Sequence, residues 1–282
     1  MKLTKLIFNK TLPLTLCAFA LASYAQAQSG GGGGQAFVTI ENGETNTVTS
    51  QADVTDSNFV SIGVGNADFG FGDPTTVNFT GGTINTRNNG ADTSLTVIET
   101  SVANISGTIF TQDIIAFDSA MINFTSGGSN DDVVADDNAI INFNGGFVGD
   151  DLETYGNATV NILAGTFGED IEARGNSDIF ISGGNFTEAA LESLGNSMIT
   201  LFGSDFKIDG TPVAFGELGS STSGTNLMGT LASGETFDMP FNIGGNGSIV
   251  LTAVPEPSTY AAIIGATGLL FFFQKRRKRL RA

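Results

Sequence analysis

A nineteen-residue repeat across the middle of the chain limits the fold more than any other feature. Ala120-Met121-Ile122-Asn123-Phe124 aligns with Ala139-Ile140-Ile141-Asn142-Phe143. Ala158-Thr159-Val160-Asn161-Ile162 and Ser177-Asp178-Ile179-Phe180-Ile181 continue the series. Asn123, Asn142 and Asn161 lie nineteen positions apart. A further copy starts at Ser197 with one extra residue, and a degenerate one starts at Ser101. Self-similarity at a fixed short period is the mark of a stacked architecture, in which neighbouring copies bury what one copy cannot bury alone.

The columns of the alignment read as strands. Ile122, Ile141, Val160, Ile179 and Ile199 form one apolar column. Phe124, Phe143, Ile162, Ile181 and Leu201 form a second, two residues on. A spacing of two is strand alternation with both columns facing inward. Phe110, Val148, Phe167, Phe186 and Phe206 make a third column, and Ile114, Val133, Leu152 and Ile171 a fourth. Asn138, Asn157, Asn176 and Asn196 fall at one place, the last three after Gly. Gly and Asn tolerate the left-handed backbone of a sharp corner. Stacked Asn side chains can also hydrogen-bond to one another.

Nineteen residues are too few for a helix–turn–helix unit and suit three short strands with tight corners. The sequence therefore predicts an all-β fold, a single-stranded parallel β-helix of about 19 residues per coil with β caps, spanning residues 36–253. Strands are expected at Phe37 to Ile40 and Phe59 to Ile62, and an early copy at Thr75 to Asn85 is followed by a longer insertion. Expected strands at Thr211 to Phe215, Phe241 to Ile243 and Ser248 to Leu251 would cover the C-terminal end, which otherwise offers unpaired edges.

Both ends read as addresses. Lys2, Lys5 and Lys10 precede an apolar stretch from Leu12 to Ala22 and a small-x-small site at Ala25-Gln26-Ala27. Residues 1–27 are the pattern of a secretory signal peptide cleaved after Ala27. Leu16 is too large for Cys17 to belong to a lipoprotein signal. Residues 28–35 form a Gly-rich linker. At the other end, Val254-Pro255-Glu256-Pro257-Ser258 precedes a thirteen-residue apolar run, Ala261 to Phe273, and six basic residues between Lys275 and Arg281. The run is short for a permanent transmembrane helix, which needs about 20 residues. The basic residues would stay on the cytoplasmic side.

In this order the three parts, residues 254–282, resemble the PEP-CTERM sorting signal of Gram-negative bacteria. The resemblance covers the tail alone. It implies that an exosortase-type sorting protease of the inner membrane recognises the segment around Pro255, Glu256 and Pro257 and removes it. It further implies a transient inner-membrane intermediate and a final place at the cell surface or in the extracellular polysaccharide of a biofilm.

Charge narrows the partners of the body. Residues 28–254 carry three basic side chains (Arg87, Arg174 and Lys207) against 28 acidic ones, a net −25. Such a surface repels nucleic acid and anionic lipid and suits cations or a hydrated matrix. The body has no Cys, His or Trp. That excludes a thiolate nucleophile, a Cys or His zinc site and a His-based triad.

The acidic pairs Asp131-Asp132, Asp150-Asp151 and Glu169-Asp170 recur at one repeat position, with Asp113 one copy earlier. One reading is a solvated acidic face. The other is a Ca²⁺ ladder on Asp132, Asp151 and Asp170, because stacked carboxylates repel unless a cation intervenes and Ca²⁺ takes hard oxygen ligands. No calcium-binding nonapeptide or EF-hand loop accompanies them. Asn-x-Ser/Thr triplets at Asn78, Asn104, Asn123, Asn157 and Asn185 are expected as outward strand positions.

The sequence predicts a non-enzymatic protein, structural or adhesive among exopolysaccharides, with no catalytic residues. The alternative is a β-helix polysaccharide lyase or glycoside hydrolase, whose paired carboxylates would act as acid and base. The single Arg in the regular repeats and the net −25 body oppose binding of an acidic sugar polymer.

Overall fold

The computed structural model describes residues 27–29, 36–40, 45–49, 61–64, 75–84, 93–219 and 225–254. Most of the expected signal peptide, most of the expected linker and nearly all of the expected sorting segment, including Pro255, Glu256 and Pro257, lie outside the described residues. The described part is all-β, with 24 strands joined into one long, mostly parallel, unclosed sheet. Among the described residues no helix is long and apolar enough to cross a membrane.

The repeat sets the pairing. Met121–Ser129, Ile140–Val148 and Thr159–Phe167 pair in parallel, with Asn123 opposite Asn142 and Asn142 opposite Asn161. Asp178–Ile181 and Met198–Ile208 continue this ladder, Ile179 opposite Ile199, so the extra residue is absorbed without loss of register. A second ladder joins Asp113–Ala116, Val133–Ala135, Leu152–Thr154, Ile171–Ala173 and Leu191–Gly195. A third runs along the far ends of the nine-residue strands, with Ser129 opposite both Phe110 and Val148, and Phe167 opposite Phe186.

The inward columns are where the alternation puts them. Ile122, Ile141, Val160, Ile179 and Ile199 are fully buried, as are Phe124, Phe143, Ile162, Ile181 and Leu201. Ile114, Val133, Leu152 and Ile171 join the same continuous core. Phe124 and Phe143 stack with ring centroids 4.5 Å apart and planes 3° apart. Phe143 meets Phe167 edge to face at 5.2 Å. A one-residue slip would turn every one of these side chains outward, so burial fixes the register.

Two Asn ladders run across the strands. Asn104, Asn123, Asn142 and Asn161 each donate from Nδ2 to Oδ1 of the preceding member, starting at Asn78, over 2.8–2.9 Å. Asn157, Asn176 and Asn196 do the same at the corner, starting at Asn138, over 3.0–3.4 Å. The left-handed residue at that corner is the one before the Asn: Asp137, Gly156, Gly175 and Gly195 have φ between 58° and 82°, and Asp118, before Ser119 in the preceding copy, has φ 59°. Its carbonyl accepts the N–H of the Asn one copy on, as from Asn157 to Asp137 (2.6 Å) and from Asn176 to Gly156 (2.8 Å). At the second corner the copies approach so closely that a Cβ on Gly128 would lie 1.9 Å from the Phe147 carbonyl oxygen.

The flanks depart from expectation in two places. The expected strand at 211–215 is only Thr211–Pro212, antiparallel to Met198–Ile208. Thr236–Gly245 and Ser248–Ala253 extend the parallel ladders, with Leu191 opposite Phe241 and Ile199 opposite Ile249. They form one more copy, and Asn246 adds to the corner ladder at 3.0 Å from Asn196. Thr225–Leu231 runs antiparallel to Thr236–Gly245 and separates this copy from its neighbour in sequence. At the other end, Ala36–Ile40 pairs in parallel with Ser61–Val64, and Thr76–Phe79 with Val102–Phe110.

Candidate functional site

The chemistry-bearing side chains gather at the bend between the nine-residue strands and the short strands that follow. Two columns meet there. Gln112, Asp131, Asp150 and Glu169 occupy one repeat position, and Asp113, Asp132, Asp151 and Asp170 the next. Strand register carries them: Ile114 is opposite Val133, Val133 opposite Leu152, and Leu152 opposite Ile171.

The structure stacks Asp132, Asp151 and Asp170, and it gives each a backbone partner. Asp132 Oδ1 accepts the N–H of Asp151 at 3.0 Å. Asp151 Oδ1 accepts that of Asp170 at 2.8 Å, and Asp170 Oδ1 that of Ala190 at 2.8 Å. Each carboxylate therefore ties one copy to the next at a bend where the strand ladder is interrupted. A charge-assisted bond of this kind is stronger than a neutral one. The recurrence of Asp at this position thus has a structural cause that needs no ion.

The neighbouring column is different. Carboxylate oxygens of Asp131, Asp132 and Asp150 lie within 4.8 Å of one another, and so do those of Asp150, Asp151 and Glu169. Burial, with this crowding added, shifts the titration of the site. Burial, with the nearby Asp150, Asp151 and Glu153 carboxylates adding to it, pushes Asp132 up to about 6 against the pull of its backbone hydrogen bond. Burial likewise raises Asp151. Glu169 is raised chiefly by a hydrogen bond with the Asp150 carboxyl.

Gln112 begins the column, and sequence reasoning passed over it. Its Nε2 donates to Asp131 Oδ2 at 2.7 Å. The residue is only 8% exposed, yet its Oε1 has no hydrogen-bond partner. A buried unpaired oxygen costs about 1–3 kcal/mol. Ser129 fixes the surrounding backbone: its Oγ donates to the Gln112 carbonyl at 2.8 Å and accepts the Asp131 N–H at 3.1 Å. Ser129 stands where the facing strands carry Phe110 and Val148, so a hydroxyl replaces an apolar side chain in the core beside the site. The signal was present in the alignment as an amide in the acid column and a Ser in the Phe column.

Among the described residues, the one ion pair joins Arg174 to Glu172. Arg174 also lies 5.7 Å from the centre of the Tyr155 ring. The Tyr155 hydroxyl donates to Glu153 at 2.9 Å, and burial pushes its ionisation up to about 12. Arg174 is thereby engaged with the buried Glu172. The Asn-x-Ser/Thr positions Asn78, Asn104 and Asn123 lie in the strand ladder and Asn157 in the corner ladder, with their amides occupied. Compared with family models, curated proteins and solved structures, the chain matches none of them.

Proposed function

We propose that this protein is an exported, non-enzymatic element of the bacterial surface or extracellular matrix, whose body is a parallel β-helix. The reading is carried by the nineteen-residue parallel register, which stacks copies over one core and lines the acidic positions along it. A regular rod of this kind is a scaffold: each copy contacts its neighbours, and length follows from the number of copies. Its net −25 keeps it hydrated and repels nucleic acid.

The ends supply the route. Residues 1–27 direct export, and residues 254–282, similar to a PEP-CTERM tail, hold the protein at the inner membrane until an exosortase-type protease cuts near Pro255-Glu256-Pro257. The released body then resides among exopolysaccharides. The lyase or hydrolase alternative gains no support at the acidic bend. There the carboxylates recur as a repeat column, and Arg174, the one Arg in the regular repeats, is bound to Glu172.

Intact-mass measurement of the protein from culture medium and cell envelope of a producing bacterium tests the route. The expected species begins near Gln28 and ends before Ala261. A mass that still includes residues 261–282 in all fractions would replace sorting with a retained anchor.

A further inference from the structure

We propose that the outer side of the long strands is a binding face for an uncharged polysaccharide chain lying along the stack. The proposal rests on the reading of the protein as a matrix element and adds to it the surface and the class of glycan. In each copy three strand positions alternate with the buried pair and point away from the core, as Val102, Asn104 and Ser106 do, and Ile140, Asn142 and Asn144 two copies on. From 102–106 through 121–125, 140–144, 159–163, 178–182 and 198–202 to 248–252, Asp178 is the single charged residue at these positions. The neighbouring ladder is the opposite: Glu153, Glu172 and Glu192 stand there as successive partners. On a body of net −25, a sheet face so bare of charge is set apart from the rest of the surface.

Two kinds of group line this face. Asn123 and Asn142 each give one N–H to the copy before and accept one from the copy after. A primary amide has two N–H groups and two lone pairs, so the ladder leaves one of each for an outside partner. These repeat about every 4.8 Å along the stack. Apolar side chains flank the amides. Val102, Met121 and Ile140 are partly exposed on one side, and Leu163 is 51% exposed on the other. Phe180 takes the Asn position in the copy after Asn161, and its ring lies 6.5 Å from that of Phe202 with planes 33° apart. Both residues are partly exposed. Neighbouring apolar groups left at the surface in this way mark an interaction surface.

The chemistry selects the occupant. A face without charge gives an ionic partner nothing to pair with, and the net −25 of the body repels a polyanion and a second copy of this chain alike. A sugar ring carries hydroxyls at its edge and C–H groups on its faces. Each hydroxyl is both donor and acceptor and so matches the spare N–H and lone pair of an amide. The weakly positive C–H groups fit the negative face of a Phe ring. An extended polysaccharide repeats both groups along one line, as the ladder does. Contacts that are weak singly then bind together, because the first brings the next to high effective concentration.

The test is native affinity electrophoresis of the purified full chain in mild detergent at fixed ionic strength. The gels hold hydroxyethyl cellulose, dextran or galactomannan, with alginate as the anionic control. The expected result is retardation by at least one neutral polymer and none by alginate. Phe180→Ser combined with Phe202→Ser should weaken binding at least tenfold, and Leu163→Ser at least threefold. Phe215→Ser removes an exposed aromatic outside this face and should leave affinity within twofold. Circular dichroism checks the fold of each variant, and if the double variant unfolds, Leu163→Ser decides. Free migration in all three neutral gels overturns the proposal, and the sorting route is then still judged by intact mass. Retardation by alginate as strong as by a neutral polymer overturns it too, as does an equal loss in Phe215→Ser. Parental affinity in the folded deciding variant overturns the face while leaving a matrix protein that binds glycan elsewhere. A parental dimer in sedimentation that the double variant abolishes overturns the proposal by assigning the face to a second copy.

Discussion

Removing the Phe143 ring should cost far more than removing the Asn142 amide one residue before it. Phe143 is fully buried, stacked on Phe124 at 4.5 Å and set edge-on to Phe167 at 5.2 Å. Phe143→Ala leaves a cavity between two aromatic neighbours that the close stacking of strands cannot close. Such truncations cost about 3–5 kcal/mol. Asn142 is half-buried and makes two ladder bonds, to Asn123 at 2.8 Å and from Asn161 at 2.9 Å. Water can reach the partners left behind, so Asn142→Ala should cost about 1 kcal/mol. With a urea dependence of about 3 kcal/mol per molar, the midpoint should fall by about 1 M or more for Phe143→Ala and by about a third of that for Asn142→Ala. Urea titration followed by far-UV circular dichroism, with near-UV absorbance as a second probe against loss of two-state behaviour, makes the comparison. Equal midpoints, or a larger loss from Asn142→Ala, would refute the register.

Other expectations follow from the corners and the charges. Gly156→Ala should lower the thermal midpoint, because φ is 60° there and the new Cβ would lie 2.8 Å from the Asp137 Cα. Asp137→Gly should be tolerated, since the next two copies carry Gly156 and Gly175 at that position, and thermal melting compares the two variants. Asp178 is raised above the ordinary carboxylate range by burial, so its ionised form opposes folding at neutral pH and this cost fades as pH falls through its folded pKa. Asp178→Asn should therefore stabilise at pH 7, with the gain shrinking toward pH 4, and a difference that stays constant with pH in thermal melts would exclude burial of the charge as its source.

The sequence revealed the core through identical spacing in neighbouring copies. Ile141 and Phe143 needed only the two-residue alternation and the nineteen-residue offset to be placed inward. The Asn corner was legible because the Asn itself recurs and follows Gly in three copies, whereas Asp137, before Asn138, takes the same left-handed conformation without a Gly to signal it. The final copy escaped notice because the Thr225–Leu231 strand and its turn lie between Ile199 and its partner Ile249, a separation of fifty residues that breaks the period. At the acidic bend the repeat showed which carboxylates stack. It could not show that Asp132, Asp151 and Asp170 hold backbone N–H groups, because that depends on how the chain turns between strands. Gln112 and Ser129 were missed because each breaks its column, and a pattern search discards such exceptions.

The central claim is that successive copies lie one strand spacing apart in a single continuous stack, the last copy included. Spin labels along one column of strand partners measure this directly. Asn104, Asn123, Asn142, Asn161 and Phe180 are successive partners, followed by Thr200 and Val250. Pulsed electron resonance on Cys pairs at 104/180, 104/200 and 104/250, in a Cys17→Ser background, should give distances of about 19, 24 and 29 Å, one step of about 4.8 Å per copy. The step from position 200 to position 250 should equal the step from 180 to 200 despite a sequence separation of fifty residues. Unequal steps, or a 104/250 distance shorter than 104/180, would contradict the stack.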